Sequence, residues 1–147
     1  MKKVKIRFTL DDCQWHGSAT ETLWADPIDG RLRRIDNLPF LAFGVSFNDI
    51  VNTETSSEDV EDFLSVSRLG GHSTYRIIVR GDQLPEDRLN QIADLGCLYE
   101  VGKIGEVLLV SVSVPPESDI RRVYSELEAG KSDEIWDFEE SNFEHSI

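Results

Sequence analysis

In the stretch Gly70-Gly71-His72-Ser73-Thr74-Tyr75-Arg76, a histidine and a serine follow two glycines and lead straight into the apolar run Ile77-Ile78-Val79. A serine beside a histidine suggests acyl transfer, which needs the imidazole within hydrogen-bond reach of the hydroxyl and a third group to orient the ring. Neighbouring positions in the chain do not meet that requirement, and no G-x-S-x-G elbow surrounds Ser73. No catalytic residue is therefore assigned. Two other chemistries fit the same residues. Short hydroxyl side chains at a turn satisfy backbone groups, and successive glycine amides can form a concavity that binds an anion. The structural role is favoured, with His72, Ser73 and Tyr75 kept as candidate ligand contacts. Gly70-Gly71 is not followed by G-K-[ST], nor by a helix that would hold a phosphate on its N-terminus.

Cys13 and His16 have the C-x-x-H spacing of half a zinc site, but Cys97 and His145 have no ligand near them in sequence to supply the other half. No metal and no cofactor are expected. Cys97, between a helix-ending glycine and a leucine, reads as a small core-filling thiol. Among the aromatic residues, Trp15, Trp24, Phe40, Phe43 and Phe47 read mainly as core. Trp136 stands apart, because Asp133, Glu134, Asp137, Glu139 and Glu140 frame it. An aromatic in an acidic frame has the composition of a hot spot facing a basic partner, and these six residues are the candidate partner-binding set. The competing reading is that Trp136 pins the last turn onto a sheet.

Charge narrows the function classes further. Fifteen basic residues against 28 acidic ones leave a net charge of -13. The imbalance is uneven: residues 1–34 carry seven Lys/Arg and five Asp/Glu, whereas Asp49 to Asp62 holds six acids and no base. Nucleic-acid affinity rests on Lys/Arg neutralising phosphates, so DNA and RNA are not expected ligands. A solvated acidic surface or a docking face for a basic protein accounts for the charge. No stretch approaches the roughly 20 apolar residues of a membrane span. With two cysteines and no secretory signal, a soluble cytoplasmic protein is expected.

The elements that must position these residues follow from periodicity. Val4, Ile6, Phe8 and Leu10 alternate with polar residues as in a half-buried strand. Strand patterns follow at Thr20–Ala25 and Leu32–Ile35 about Asp29-Gly30, then at Val45–Phe47 and Ile50–Val51. Five short strands in some 50 residues suggest a small barrel or a curled antiparallel sheet. Residues 53–62 are polar and acidic and read as a joint. Beyond it, strands at Phe63–Ser67 and Tyr75–Arg80 flank the glycine turn. A helix runs from Pro85 to Gly96, strands at Leu98–Val101 and Val107–Val114 flank a turn at Gly102–Gly105, and a helix capped by Ser118 reaches Gly130. The fold class is α+β, with a β-rich part over 1–62 and a ferredoxin-like split β-α-β-β-α half over 63–147. That half lacks an obvious sixth element. Ser132 to Phe138 reads as a last turn before an acidic tail.

The strings E-T-L-W-A at 21–25, D-N-L-P-F-L-A-F-G-V-S-F-N-D-I-V at 36–51, G-H-S-T-Y-R at 71–76, L-G-C at 95–97 and E-I-W-D-F-E-E at 134–140 resemble the bacterial domain of unknown function family numbered 4265. The similarity covers nearly the whole chain, which implies one family module spanning both parts. His72, Ser73, Tyr75, Trp136 and Asp137 match its most distinctive strings. The resemblance implies a small bacterial cytoplasmic protein and no particular reaction. The leading expectation is a non-enzymatic acidic binding protein, of the kind represented by an immunity protein or antitoxin that masks a basic toxin. The alternatives are a small-molecule sensor and, below it, an enzyme using His72.

Overall fold

A computed structural model describes residues 2–11, 16–57 and 59–146. Five strands, β1 (Val4–Thr9), β2 (Thr20–Asp29), β3 (Leu32–Ile35), β4 (Ile50–Thr55) and β5 (Val60–Arg68), form a closed barrel in chain order. Closure comes from β1 and β5, which run parallel with Lys5 opposite Val60 and Arg7 opposite Asp62. Alternation turns Ile6, Phe8, Leu23, Ala25, Ile35 and Val51 inward to form the barrel core. Closing the sheet on itself removes the exposed edges an open sheet would carry. Arg33, nearly buried, grips Glu61 through its Nε and Nη2 at 2.9 and 3.1 Å, and Thr53 donates to the same carboxylate. Burial pushes the Glu61 carboxyl up, but Arg33 and Thr53 outweigh it and hold it below its ordinary range.

The second part is a four-stranded antiparallel sheet. Its elements follow one another as β6 (Ser73–Val79), α1 (Glu86–Asp94), β7 (Leu98–Ile104), β8 (Val107–Val114), α2 (Ile120–Ser132) and β9 (Trp136–Asn142). Strand order across the sheet is β7-β8-β6-β9. One face, built from Tyr75, Ile77, Val79, Val110, Val112 and Val114, meets Leu89, Ile92, Ile120, Val123 and Leu127 of the helices in a second core.

Several local expectations are corrected here. Val60–Arg68 belongs to the barrel, paired with both β1 and β4, so the change of architecture falls at Gly70-Gly71 and not at residue 62. The acidic stretch read as a joint is mostly strand, because Val51 and Thr53 alternate inward while Asn52 and Glu54 face out. Val45–Phe47 is not a strand but part of an irregular crossing from β3 to β4. The β7–β8 turn is at Gly105, with φ +59°, and not at Gly102–Gly105. The cap of α2 is Asp119, whose carboxylate accepts from the Arg121 and Arg122 amides, rather than Ser118. Lastly, the segment after α2 is a strand, β9, which supplies the sixth element missing from the sequence reading.

Candidate functional site

Of the residues singled out in the sequence, Phe40, Phe43, Phe47, His72 and Glu139 meet at the seam between barrel and sheet. Residues 36–49 leave the barrel after β3 and lie as a strap across the sheet face opposite the helices. Arg76 points into this seam, 1 % exposed, where it donates to the Phe40 carbonyl at 3.1 Å and pairs with Glu139. Its guanidinium also lies 5.0 Å from the centre of the Phe43 ring. Ser111 donates to the Pro39 carbonyl, and Ser46 and Thr74 share a hydrogen bond of 2.6 Å. Gly102 lets the Phe40 ring approach so closely that a Cβ there would sit 3.0 Å from it. On the barrel side, the Glu21 carboxylate accepts three successive strap amides, from Phe40, Leu41 and Ala42, at 2.8 to 3.0 Å. Buried backbone donors must find acceptors, and Glu21 is the device that lets an irregular strap be packed between two cores.

At Gly70-Gly71 the anion concavity foreseen from sequence exists, but the protein itself fills it. The Gly70 amide donates to Asp49 at 2.8 Å, and the Gly71 amide donates to Glu144 at 2.9 Å. The second Asp49 oxygen accepts from the Ser46 amide, and the second Glu144 oxygen accepts from Asn142 at 2.6 Å. Asp49 is fully buried, and the two carboxyls touch. Burial and then the hydrogen bond with Asp49 push Glu144 up to about 7.

His72 and Ser73 do not pair with each other. His72 Nδ1 lies 3.0 Å from the Ser113 hydroxyl, and the ring stands edge-on to Phe47 with centroids 5.2 Å apart. Burial lowers its pKa, against the pull of Glu117 and Asp49. The partner of Ser73 is His145, with Oγ 2.6 Å from Nδ1. His145 Nε2 lies 2.8 Å from the Pro115 carbonyl, which can only accept. Nε2 therefore carries a proton, and in the neutral ring the Ser73 hydroxyl donates to Nδ1. A serine, a histidine and an orienting carbonyl are thus in line. Yet Ser73 is 0 % exposed and its oxygen also accepts the Glu144 amide at 2.9 Å, so no electrophile can reach it. The arrangement ties the C-terminal segment to the start of β6.

Tyr75 donates to Glu140 at 3.1 Å, and burial followed by that carboxylate pushes its pKa up. With Ile120, Tyr124 and Phe143 it lines an apolar cleft of about 430 Å³, with Arg121 and Glu140 also on its walls. Of the acidic set, Asp133 pairs with Arg88, Asp137 with Arg80 and Glu139 with Arg76, while Glu134 is exposed in a left-handed conformation at φ +60°. Trp136 is not at the surface: it is 0 % exposed in the sheet core and its indole donates to the Leu127 carbonyl at 3.0 Å. Its place as a docking hot spot is thereby corrected.

Cys13 lies outside the described residues, and His16 accepts from the Ser18 amide at 3.0 Å. The Cys97 thiol is buried and pushed up to about 12. Among the described residues no group of three His, Cys, Asp or Glu side chains is placed to hold a metal ion, and no buried polar side-chain atom lacks a hydrogen-bond partner. No described helix is long and apolar enough to cross a membrane.

Glu21, Asp49, Arg76, Glu144 and His145 are the residues the sequence did not single out for the seam. Only Arg76 carried a local signal, a charge at the head of an apolar run. The pairings of Ser73 with His145 and of Gly71 with Glu144 span more than 70 positions, and nothing in the spacing announces them.

A family model described as a domain of unknown function, DUF4265, matches residues 21–138. No curated protein matches the sequence. A crystal structure of a hypothetical protein from Neisseria gonorrhoeae is similar in fold, with a TM-score of 0.79, 24 % identity and 99 % of each chain covered.

Proposed function

The chain belongs to the DUF4265 family, and from that premise we propose that it is a non-catalytic bacterial cytoplasmic protein that docks a basic partner protein through acidic surface. An immunity protein or antitoxin presented to a basic toxin is the model for such a role. One observation carries this reading. Each group that sequence would assign to catalysis is buried and already bonded within the seam, whereas the exposed acids Asp133, Glu134 and Glu140 stay at the surface of a chain with net charge -13. Exposed charge of one sign steers encounter with an oppositely charged surface and rejects like-charged ones. We read the sheet and its two helices as a ferredoxin-like β-α-β-β-α-β unit, since strand order β7-β8-β6-β9 places the first and third strands of the unit at the centre.

The test is co-purification from the native host with the full chain, followed by binding at rising salt. Affinity should fall as salt rises, and Glu134→Lys should weaken it without lowering the melting temperature, while adding Asp133→Lys and Glu140→Lys, which also break the bonds to Arg88 and Tyr75, should abolish it. Glu139 is left out because it pairs with buried Arg76. Binding indifferent to salt and to these changes would remove the electrostatic reading.

A second reading, a small-molecule sensor, rests on the cleft lined by Tyr75, Ile120, Tyr124 and Phe143. Its volume falls within the range of small-ligand sites, which are largely apolar with few polar groups. A ligand present at 100 times its dissociation constant stabilises the native state by about 2.7 kcal/mol. Thermal shift across a metabolite panel, repeated with Tyr124→Ala, decides it: a shift lost in the variant supports the cleft, and no shift removes it.

A further inference from the structure

Every strand of the barrel is paired on both sides, so the sheet carries the two remaining edges. The β9 edge is partly occupied, because the Gly44 amide of the strap donates to the Ser141 carbonyl at 3.0 Å. Strand β7 is bonded to β8 alone, leaving one side of a seven-residue strand, Leu98-Tyr99-Glu100-Val101-Gly102-Lys103-Ile104, as a row of backbone donors and acceptors. Natural proteins blunt such edges with proline, bulges, very short strands or charged side chains, because a bare edge templates pairing with another chain; of these β7 carries only the charges of Glu100 and Lys103. The described register of β7 contains no bulge, and the strand has no proline. Two of its apolar side chains face solvent, Leu98 at 47 % and Val101 at 42 % exposure.

We infer that β7 is a homodimer edge, pairing antiparallel with β7 of a second copy about a two-fold axis at Val101, so that two four-stranded sheets become one of eight. The sequence of the strand selects this occupant. A two-fold axis normal to the sheet pairs residues symmetrically about one position. Centred on Val101, the pairing sets Leu98 opposite Ile104 of the second copy, Tyr99 opposite its Lys103 and Glu100 opposite its Gly102. That places apolar side chains against apolar ones at both ends and at the axis, and lays the Lys103 stem along an aromatic ring. Directly opposed pairs of these kinds stabilise a sheet, whereas like charges directly opposed destabilise it. An axis at Glu100 would oppose Glu100 to itself, and one at Lys103 would oppose Lys103 to itself. An axis at Tyr99 or at Gly102 would set Glu100 against Leu98 or Ile104. Among axes at Tyr99 to Lys103, the Val101 register alone combines apolar pairing with the absence of like-charge contact.

The net charge of -13 on each chain opposes association, so salt should strengthen the dimer by screening. The Debye length falls from about 10 Å at 0.1 M to 3 Å at 1 M. This sign is opposite to that expected for the basic partner above, which keeps the two proposals separable.

Sedimentation equilibrium of the full chain across a wide concentration range, at low and high salt, reads the state directly. Wild type should approach twice the chain mass, and more readily at high salt. Val101→Lys should return it to one chain mass, while Leu64→Lys, at a side chain 52 % exposed on β5, should not. Val101→Cys in a Cys13→Ser background retains a small side chain at the axis and should give a disulfide-linked dimer under mild oxidation, since Cys97 is buried and its thiol pushed up to about 12. A wild type of single-chain mass under all conditions overturns the inference. So does a dimer that survives Val101→Lys, or one in which Val101→Cys fails to cross-link.

Discussion

Gly130 shows how a single residue sets the packing of a helix on a sheet. It lies on the buried face of α2, and a Cβ there would overlap the Trp136 indole. Alanine favours a helix interior over glycine by about 1 kcal/mol, so propensity alone would make Gly130→Ala stabilising. Sterics should reverse the sign. Trp136 is fully buried and held by its bond to the Leu127 carbonyl, so the ring has nowhere to move. Overpacking of a core costs roughly 1–3 kcal/mol, and each kcal/mol lowers Tm by about 2–4 °C in a chain of this size. Differential scanning calorimetry should find Gly130→Ala less stable than wild type, and a rise in Tm would contradict the packing argument. Gly70 is limited in another way: a Cβ would lie 2.6 Å from the Asn48 carbonyl oxygen, a backbone atom that cannot rotate aside. Ser73→Ala should destabilise by a different route, since it leaves the half-buried Glu144 amide and the His145 ring nitrogen each without its partner. An unmet buried donor or acceptor costs about 1–3 kcal/mol, and urea unfolding should report that loss while any partner binding by the acidic surface persists.

Among the elements, the strap over residues 36–49 explains both what sequence could show and what it could not. Regular elements were legible because their signal is local. The alternation in Val4–Thr9, the glycine stop after α1 and the apolar stripe Ile120, Val123 and Leu127 are each read within a few residues. The strap contains comparable apolar residues, and Val45–Phe47 reads as a strand. Its backbone donors are instead met from afar, by Glu21 and by Ser141, so local pattern misassigns it. Strand β9 escaped for a related reason. Its residues Trp136 to Asn142 hold three acids in seven positions, unusual for a strand, and those acids are stabilised by partners on other elements: Arg80 for Asp137, Arg76 for Glu139 and Tyr75 for Glu140. The candidate site was legible as a place and not as a chemistry. Gly70 to Arg76 is indeed where segments meet, but its partners Asp49, Glu144 and His145 lie 21 to 73 residues away. If Arg76 holds the strap, Arg76→Ala should release it by removing both the bond to Phe40 and the contact with Phe43. Chymotrypsin should then cut the native protein at Phe43 faster than in wild type, with cleavage elsewhere in β1–β5 unchanged.

For the whole molecule, the Asp49–Glu144 contact joins the barrel strap, the Gly70-Gly71 passage and the segment after β9, and it makes their union depend on pH. Glu144 is raised from its ordinary 4.5 to about 7 in the folded chain, by burial and by Asp49. A carboxyl raised on folding favours the protonated native state. Its contribution is full below pH 4.5 and is lost as pH climbs through 7. His72 acts with the opposite sign. Burial lowers its pKa below the ordinary 6.5, so the folded state prefers the neutral ring, and stability is lost as pH falls below 6.5. Both groups lie where the barrel meets the sheet, so wild-type stability should show a shallow slope between pH 5 and 7, where their opposed contributions overlap. Single variants should separate them. Glu144→Gln cannot ionise and loses one acceptor for Asn142, a constant cost across pH. Measured by urea unfolding from pH 4.5 to 8, its stability relative to wild type should therefore rise with pH. His72→Asn, which keeps a polar contact for Ser113 without the titrating ring, should remove the loss on the acidic side of 6.5 and leave the alkaline side unchanged. A Glu144→Gln difference that stays flat over this range would mean that Glu144 is not raised on folding, and that the union of strap, passage and C-terminal segment rests on packing and amide bonds alone.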